Sequence, residues 1–162
     1  MKNPILGIIG GGQLGSLLSV AAKKIGIKTV ILSDDENAPA KNFTEKFIYG
    51  KYDNKSITQE FIDSVDLVTY EFENIPFDIL QSINNEKTVL PKPEINNLIQ
   101  NRLTEKNFLN DINIQTTQYV SIKHIDELKE NENFLPGLLK TTTLGSVSYT
   151  HLRAHETNSP RV

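Results

Sequence analysis

The sequence predicts a doubly wound α/β domain built on a parallel sheet, and three observations carry that reading. A short apolar run, Ile5 to Ile9, ends in glycines, as a strand buried on both faces should. Apolar residues then recur at helical spacing before a second apolar run begins. Strand and helix patterns go on alternating at short intervals through about residue 90, which is the signature of βαβ units.

Each element has its own warrant. After the first strand, Leu14, Leu17, Leu18, Ala21, Ala22 and Ile25 recur at helical spacing, and Gly26 sits where a helix C-terminus favours glycine. Thr29 to Leu32 reads as the second strand and Phe47 to Tyr49 as a weaker third. Ser56 is the expected N-cap of a helix through Ile57, Phe61 and Ile62. Asp66 to Phe72 reads as a fourth strand and Phe77 to Ile83 as a helix. Pro91 and Pro93 then punctuate the chain. Beyond them the expected elements are helices near Glu94–Gln100 and Arg102–Asn110, a strand at Gln118–Ile122, a short helix at Asp126–Glu130 and a strand at Leu138–Thr141.

Composition narrows the class. The 162-residue chain has no cysteine, which excludes disulfides, a thiolate nucleophile and cysteine-ligated metal. Its net charge of −3 argues against a broad nucleic-acid footprint, and no apolar run approaches the ~20 residues that cross a bilayer. The N-terminus lacks the long apolar region of a signal peptide. A cytoplasmic protein without membrane or nucleic-acid partners is expected. Residues 1–145 carry fourteen lysines and one arginine, Arg102, whereas residues 146–162 carry two arginines, no lysine and two of the three histidines. With no strand or helix periodicity, 146–162 reads as a non-native tail.

Two segments have the makings of a site. Gly10-Gly11-Gly12-Gln13-Leu14-Gly15 follows a strand and opens a helix, as in a Rossmann-like dinucleotide-binding loop; it offers a tight turn, close backbone approach and free N–H groups at a positive helix end. Asp34, at the end of the second strand, stands where such a domain holds a ribose. Glycines in this position also serve close strand–helix packing, so the loop alone leaves NAD binding and a purely structural role both open. In Tyr70-Glu71-Phe72-Glu73-Asn74-Ile75-Pro76, strand alternation would point Glu71 and Glu73 to one face at a carboxyl strand end, where they suit an amine or ribose hydroxyls; alternatively they cap the next helix or face water.

Five ordered blocks then carry a resemblance: Gly7 to Gly15, Asn37-Ala38-Pro39-Ala40, Val68 to Pro76, Asn101 to Lys106, and Leu138-Leu139-Lys140-Thr141. Over residues 5–145 the chain resembles the 5-(carboxyamino)imidazole ribonucleotide synthases, the ATPase subunit of phosphoribosylaminoimidazole carboxylase, in the ATP-grasp superfamily. These ligases of purine biosynthesis use ATP to join bicarbonate to the amine of aminoimidazole ribonucleotide through carboxyphosphate.

The resemblance implies a pre-ATP-grasp domain at 1–93 and the start of an ATP-grasp domain at 94–145. By the same resemblance, Gly12, Gln13, Leu14, Glu73 and Asn74 border the ribonucleotide, Arg102 and Lys140 contact ATP, and the full-length form is a homodimer. Family chains are more than twice this length, and the part beyond residue 145 holds the magnesium ligands and the catalytic residues.

Two departures stand out. Ser33-Asp34-Asp35 replaces the family's Asp-Pro-Asp, and Ser146-Val147-Ser148 follows Gly145 where a glycine-rich loop belongs. His124 reads as a surface residue. The competing readings are an NAD-dependent oxidoreductase domain and a non-enzymatic nucleotide-sensing domain.

Overall fold

A computed structural model describes residues 3–143 and the backbone of 150–152. It divides into two compact units, Met1–Leu98 and Ile99–Val162.

The first unit is an α/β fold on a four-stranded parallel sheet. Its strands are β1 (Ile5–Ile9), β2 (Lys28–Ser33), β3 (Lys46–Tyr49) and β4 (Leu67–Tyr70), in the order β3-β2-β1-β4. Val89 adds a parallel bridge to Val68 outside β4. β1 is therefore central, and the chain winds to one side of it through β2 and β3 before returning to the other through β4. The helices are α1 (Gln13–Lys24), α2 (Lys55–Asp63), α3 (Phe77–Asn84) and α4 (Pro93–Ile99).

The two faces of the sheet are unequal. One packs Ile9, Val30, Leu32, Ile48 and Val68 with Phe61 and Ile62 of α2 and Leu80 and Ile83 of α3 in the main core. The other contributes Ile8 and Ile31 to a small cluster with Ala40 of the 3₁₀ turn Pro39–Asn42.

The helix expected after β1 is present as α1, but its large apolar residues do not form its buried face. The residues α1 buries are small: Gly15, Ser19 and Ala22. Leu14, Leu17, Leu18 and Ile25 are exposed, Leu17 at 65% and Ile25 at 72%. A Cβ on Gly15 would stand 2.7 Å from the carbonyl oxygen of Gly10, so the helix approaches the loop too closely for larger residues on that side.

Two further expectations change. The N-cap of α2 is Asn54, whose side chain accepts from the amides of Ser56 and Ile57; Ser56 lies inside the helix. β4 ends at Tyr70, so Glu71, Phe72 and Glu73 lie on a bend rather than on a strand. Gly26 behaves as expected, with φ +76° just after the α1 C-cap.

In the second unit, α5 (Arg102–Asp111) is capped by Asn101, which accepts from Leu103 and Thr104. Next come α6 (Glu127–Glu130), then β5 (Gly137–Leu139) paired antiparallel with β6 (Thr150–Leu152). Residues 118–122 run without regular structure, contrary to the expected strand. β6 lies in the stretch expected to carry no strand; three residues are too few for a period to register. The remaining residues of 144–162 lie outside the described part.

Candidate functional site

The site is assembled at the carboxyl ends of β1 and β4, neighbouring strands from which the chain departs in different directions. This is the position where open α/β sheets form their ligand crevice. After Ile9 the backbone turns through Gly10, whose φ of +105° favours glycine, into Gly12, the N-cap of α1. Gly12 has no side chain to cap the exposed amides of the first turn.

Glu71 supplies that cap from across the sheet. Its Oε1 accepts from the Gly12 amide at 2.8 Å and its Oε2 from the Gly15 amide at 3.0 Å. A carboxylate at a helix N-terminus is favoured by both the free N–H groups and the helix dipole. The glycines answer to the same side chain. A Cβ on Gly12 would stand 2.7 Å from Glu71 Oε1, and one on Gly10 would collide with Glu71 Cγ and approach Phe72 Cδ1 to 2.9 Å. Close approach is thus required, as the glycine pattern suggests, but the group approached belongs to the protein.

The second block docks on the same loop. The Ala40 amide donates to the Gly11 carbonyl at 3.0 Å, and a Cβ on Gly11 would meet Ala38 Cβ at 2.6 Å and Ser33 Oγ at 2.9 Å. Three of the five sequence blocks therefore converge around Gly10–Gly12. The bend 71–76 is held at both ends: by Glu71 on the glycine loop, and by the fully buried Asn96, whose Nδ2 donates to the Ile75 carbonyl at 3.2 Å. Between these anchors lie half-buried Glu73 and exposed Asn74. Gln13 and Leu14, both exposed, open α1 beside Gly12.

Asp34 follows β2 as expected, and its Oδ1 accepts from the Tyr52 hydroxyl at 3.2 Å. Burial first, and then the Asp34 charge, push the Tyr52 phenol well above the ordinary tyrosine range; Glu71 adds to the effect. The Tyr52 ring packs near Phe72, with centroids 6.3 Å apart. Burial likewise raises the phenol of Tyr70. The surroundings of the loop are acidic, suited to an amine or hydroxyls rather than to an anion.

Arg102 and the segment after Lys140 meet within the second unit. The Arg102 amide donates to the Thr142 carbonyl at 2.8 Å, and Nη1 donates to the Thr141 carbonyl at 3.1 Å. Lys140 is the exposed residue directly after β5. Among the described residues no group of three or more His, Asp or Glu could hold a metal ion.

Sequence reading missed Glu71 as the loop's own partner, and with it Asn96 and Tyr52. The available signal for Glu71 was an acidic residue directly after a strand whose neighbour feeds a glycine loop with no side-chain cap of its own.

The comparisons with known proteins agree with this architecture. A model of the family described as the ribonucleotide synthetase preATP-grasp domain matches residues 1–100. N5-carboxyaminoimidazole ribonucleotide synthase of Brucella melitensis is 39% identical over 114 residues, covering 70% of this chain and 32% of that protein. The synthase of the same name from Staphylococcus epidermidis is 36% identical over 138 residues, covering 84% of this chain and 37% of the relative. A crystal structure of the ADP complex of N5-carboxyaminoimidazole ribonucleotide synthetase superposes with a TM-score of 0.86 at 33% identity, over 95% of this chain and 42% of that one. The chain thus spans well under half the length of these relatives.

Proposed function

Because the chain belongs to the ribonucleotide synthetase preATP-grasp family, we propose that it is the N-terminal part of an ATP-dependent carbon–nitrogen ligase of purine biosynthesis. The reaction is carboxylation of 5-aminoimidazole ribonucleotide: bicarbonate attacks the γ-phosphorus of ATP, ADP leaves, and the amine takes the carboxyl group from carboxyphosphate with release of phosphate. The observation that carries the reading is the convergence of the glycine loop, Ala38–Ala40 and the 71–76 bend in one acidic crevice.

In this proposal Gly12, Gln13, Leu14, Glu73 and Asn74 border the ribonucleotide's ribose and amine. Arg102 offers a planar donor fork and Lys140 a compact charge to ATP phosphates; their support is that α5 and the 140–142 segment lie together. The described residues do not fit a magnesium site, so no step is assigned to the metal, whose ligands we place with the catalytic residues beyond residue 145 of the ligase.

We further propose the domain division 1–93, 94–145 and a non-native tail at 146–162, a cytoplasmic location and a homodimeric full-length enzyme. No helix among the described residues is long and apolar enough to cross a membrane. The coding sequence downstream of codon 145 tests the tail: a ligase frame that resumes there supports it.

A thermal-shift screen of the chain with aminoimidazole ribonucleotide, ATP and NAD tests the function, because a ligand that binds only the native state raises the midpoint. The ribonucleotide should raise it and NAD should not. A rise with NAD alone overturns the reading in favour of an oxidoreductase domain, against which the filled helix N-terminus already stands.

A further inference from the structure

We infer that Glu71 is a specificity-determining and positioning residue of the glycine loop: it occupies the loop's anion seat from within the protein, so the loop presents its neighbours to neutral or cationic groups and excludes phosphate. In a dinucleotide-binding domain the helix N-terminus after the first strand receives a pyrophosphate, drawn by unpaired amides and the helix dipole. Here the Gly12 and Gly15 amides are both bonded to one carboxylate, at 2.8 and 3.0 Å. A phosphate placed there would lose those donors and meet a like charge.

The packing shows that the seat is built for this side chain. Gly10 and Gly12 each lack a Cβ where Glu71 lies against them, so both positions are shaped around that side chain. The same bonds fix the register of the bend against the loop, 59 residues apart in sequence, and with it the placement of Glu73 and Asn74 relative to Gln13. This inference goes beyond the proposed substrate and holds for whatever ligand the crevice takes.

The test follows the amide resonances of Gly12 and Gly15 in the isotope-labelled 162-residue chain titrated with inorganic phosphate, against sodium chloride of equal ionic strength. In the wild type both should ignore phosphate. In Glu71→Ala they should shift saturably, with phosphate binding tighter than in the wild type by at least about tenfold. Glu71→Gln, which keeps the shape, should gain the response more weakly.

Saturable phosphate shifts in the wild type overturn the inference. So does a folded Glu71→Ala chain, with its remaining spectrum intact, whose two amides stay indifferent. Should neither variant fold, the wild type decides by itself: amides that ignore phosphate uphold it, and amides that shift saturably overturn it. The ribonucleotide enters no arm, so failure of the proposed substrate leaves the result standing.

Discussion

Gly7 of β1 lies directly against the ring of Phe61: a Cβ at position 7 would stand 2.6 Å from Phe61 Cζ and 3.0 Å from Val65 Cγ1. Phe61 is fully buried in the main core, so its ring has nowhere to withdraw. Gly7→Ala should destabilise the chain by about 1–3 kcal/mol through overpacking. The penalty should shrink in a Phe61→Leu background, where the ring tip is gone. Urea titrations of the two single variants and the double variant check this; equal penalties in both backgrounds would refute the contact.

Gly12 and Glu71 should be coupled in the same way. Gly12→Ala places a methyl against Glu71 Oε1 and forces the carboxylate off its amides. The cost should be about 1–2 kcal/mol greater in the wild type than in a Glu71→Ala background, within the range measured for residues in contact. An additive double-mutant cycle would show that the glycine serves another purpose.

Leu17→Ala tests which face of α1 is buried. At 65% exposure it should cost less than about 0.5 kcal/mol. A leucine on a core stripe would cost about 2–5 kcal/mol. A large loss in denaturant titration of this chain would place Leu17 on the buried face.

Much of the fold was legible because burial on both faces leaves a plain signal: Ile5 to Ile9 could be bounded to the residue. The buried face of α1 was not legible, for a physical reason. Hydrophobic periodicity points to the largest residues, but a helix lying this close to a strand–turn segment must bury its smallest, here Gly15, Ser19 and Ala22. The bend at 71–76 was misread because Tyr70 and Phe72 alternate as a strand would. In the fold, the Glu71 amide still bonds Ile9 O, and then the chain turns to carry the carboxylate under the loop. Long-range capping of that kind leaves no local trace, and neither does the tie from Asn96 to the Ile75 carbonyl.

Glu45 gives the fold a modest dependence on pH. Its carboxylate accepts from the Thr29 amide at 2.7 Å, and that bond, outweighing desolvation, holds its pKa below the ordinary glutamate value. A carboxylate lowered on folding stabilises the native state above its unfolded pKa of about 4.3, and the gain is lost as pH falls through the lower, folded value. Glu45→Gln should therefore flatten the acid side of the stability profile while leaving the slope near neutrality alone. Because Glu45 is exposed, the difference should stay below about 1 kcal/mol. Unchanged acid sensitivity in urea titrations below pH 5 would count against the bond.

Glu73→Gln tests the proposed site directly. The substitution keeps the shape but exchanges a charged acceptor for a mixed donor and acceptor. Calorimetric titration with aminoimidazole ribonucleotide should show binding weakened by at least about tenfold, or 1.4 kcal/mol. Wild-type affinity in the variant would remove Glu73 from the ligand's surroundings.

The central place of β1 has a consequence for how the chain is made. β1 leaves the ribosome well before β4, whose Leu67 pairs with Leu6 along one of its edges. At roughly 5–20 residues per second, the 60 intervening residues take on the order of 3–12 seconds to synthesise. Throughout that interval this edge of β1 is open, and the amides of Gly12 and Gly15 wait for a carboxylate not yet translated. The nascent domain is thus most exposed to misassociation before Glu71 emerges, and a pause in translation just upstream of β4 would lengthen that window.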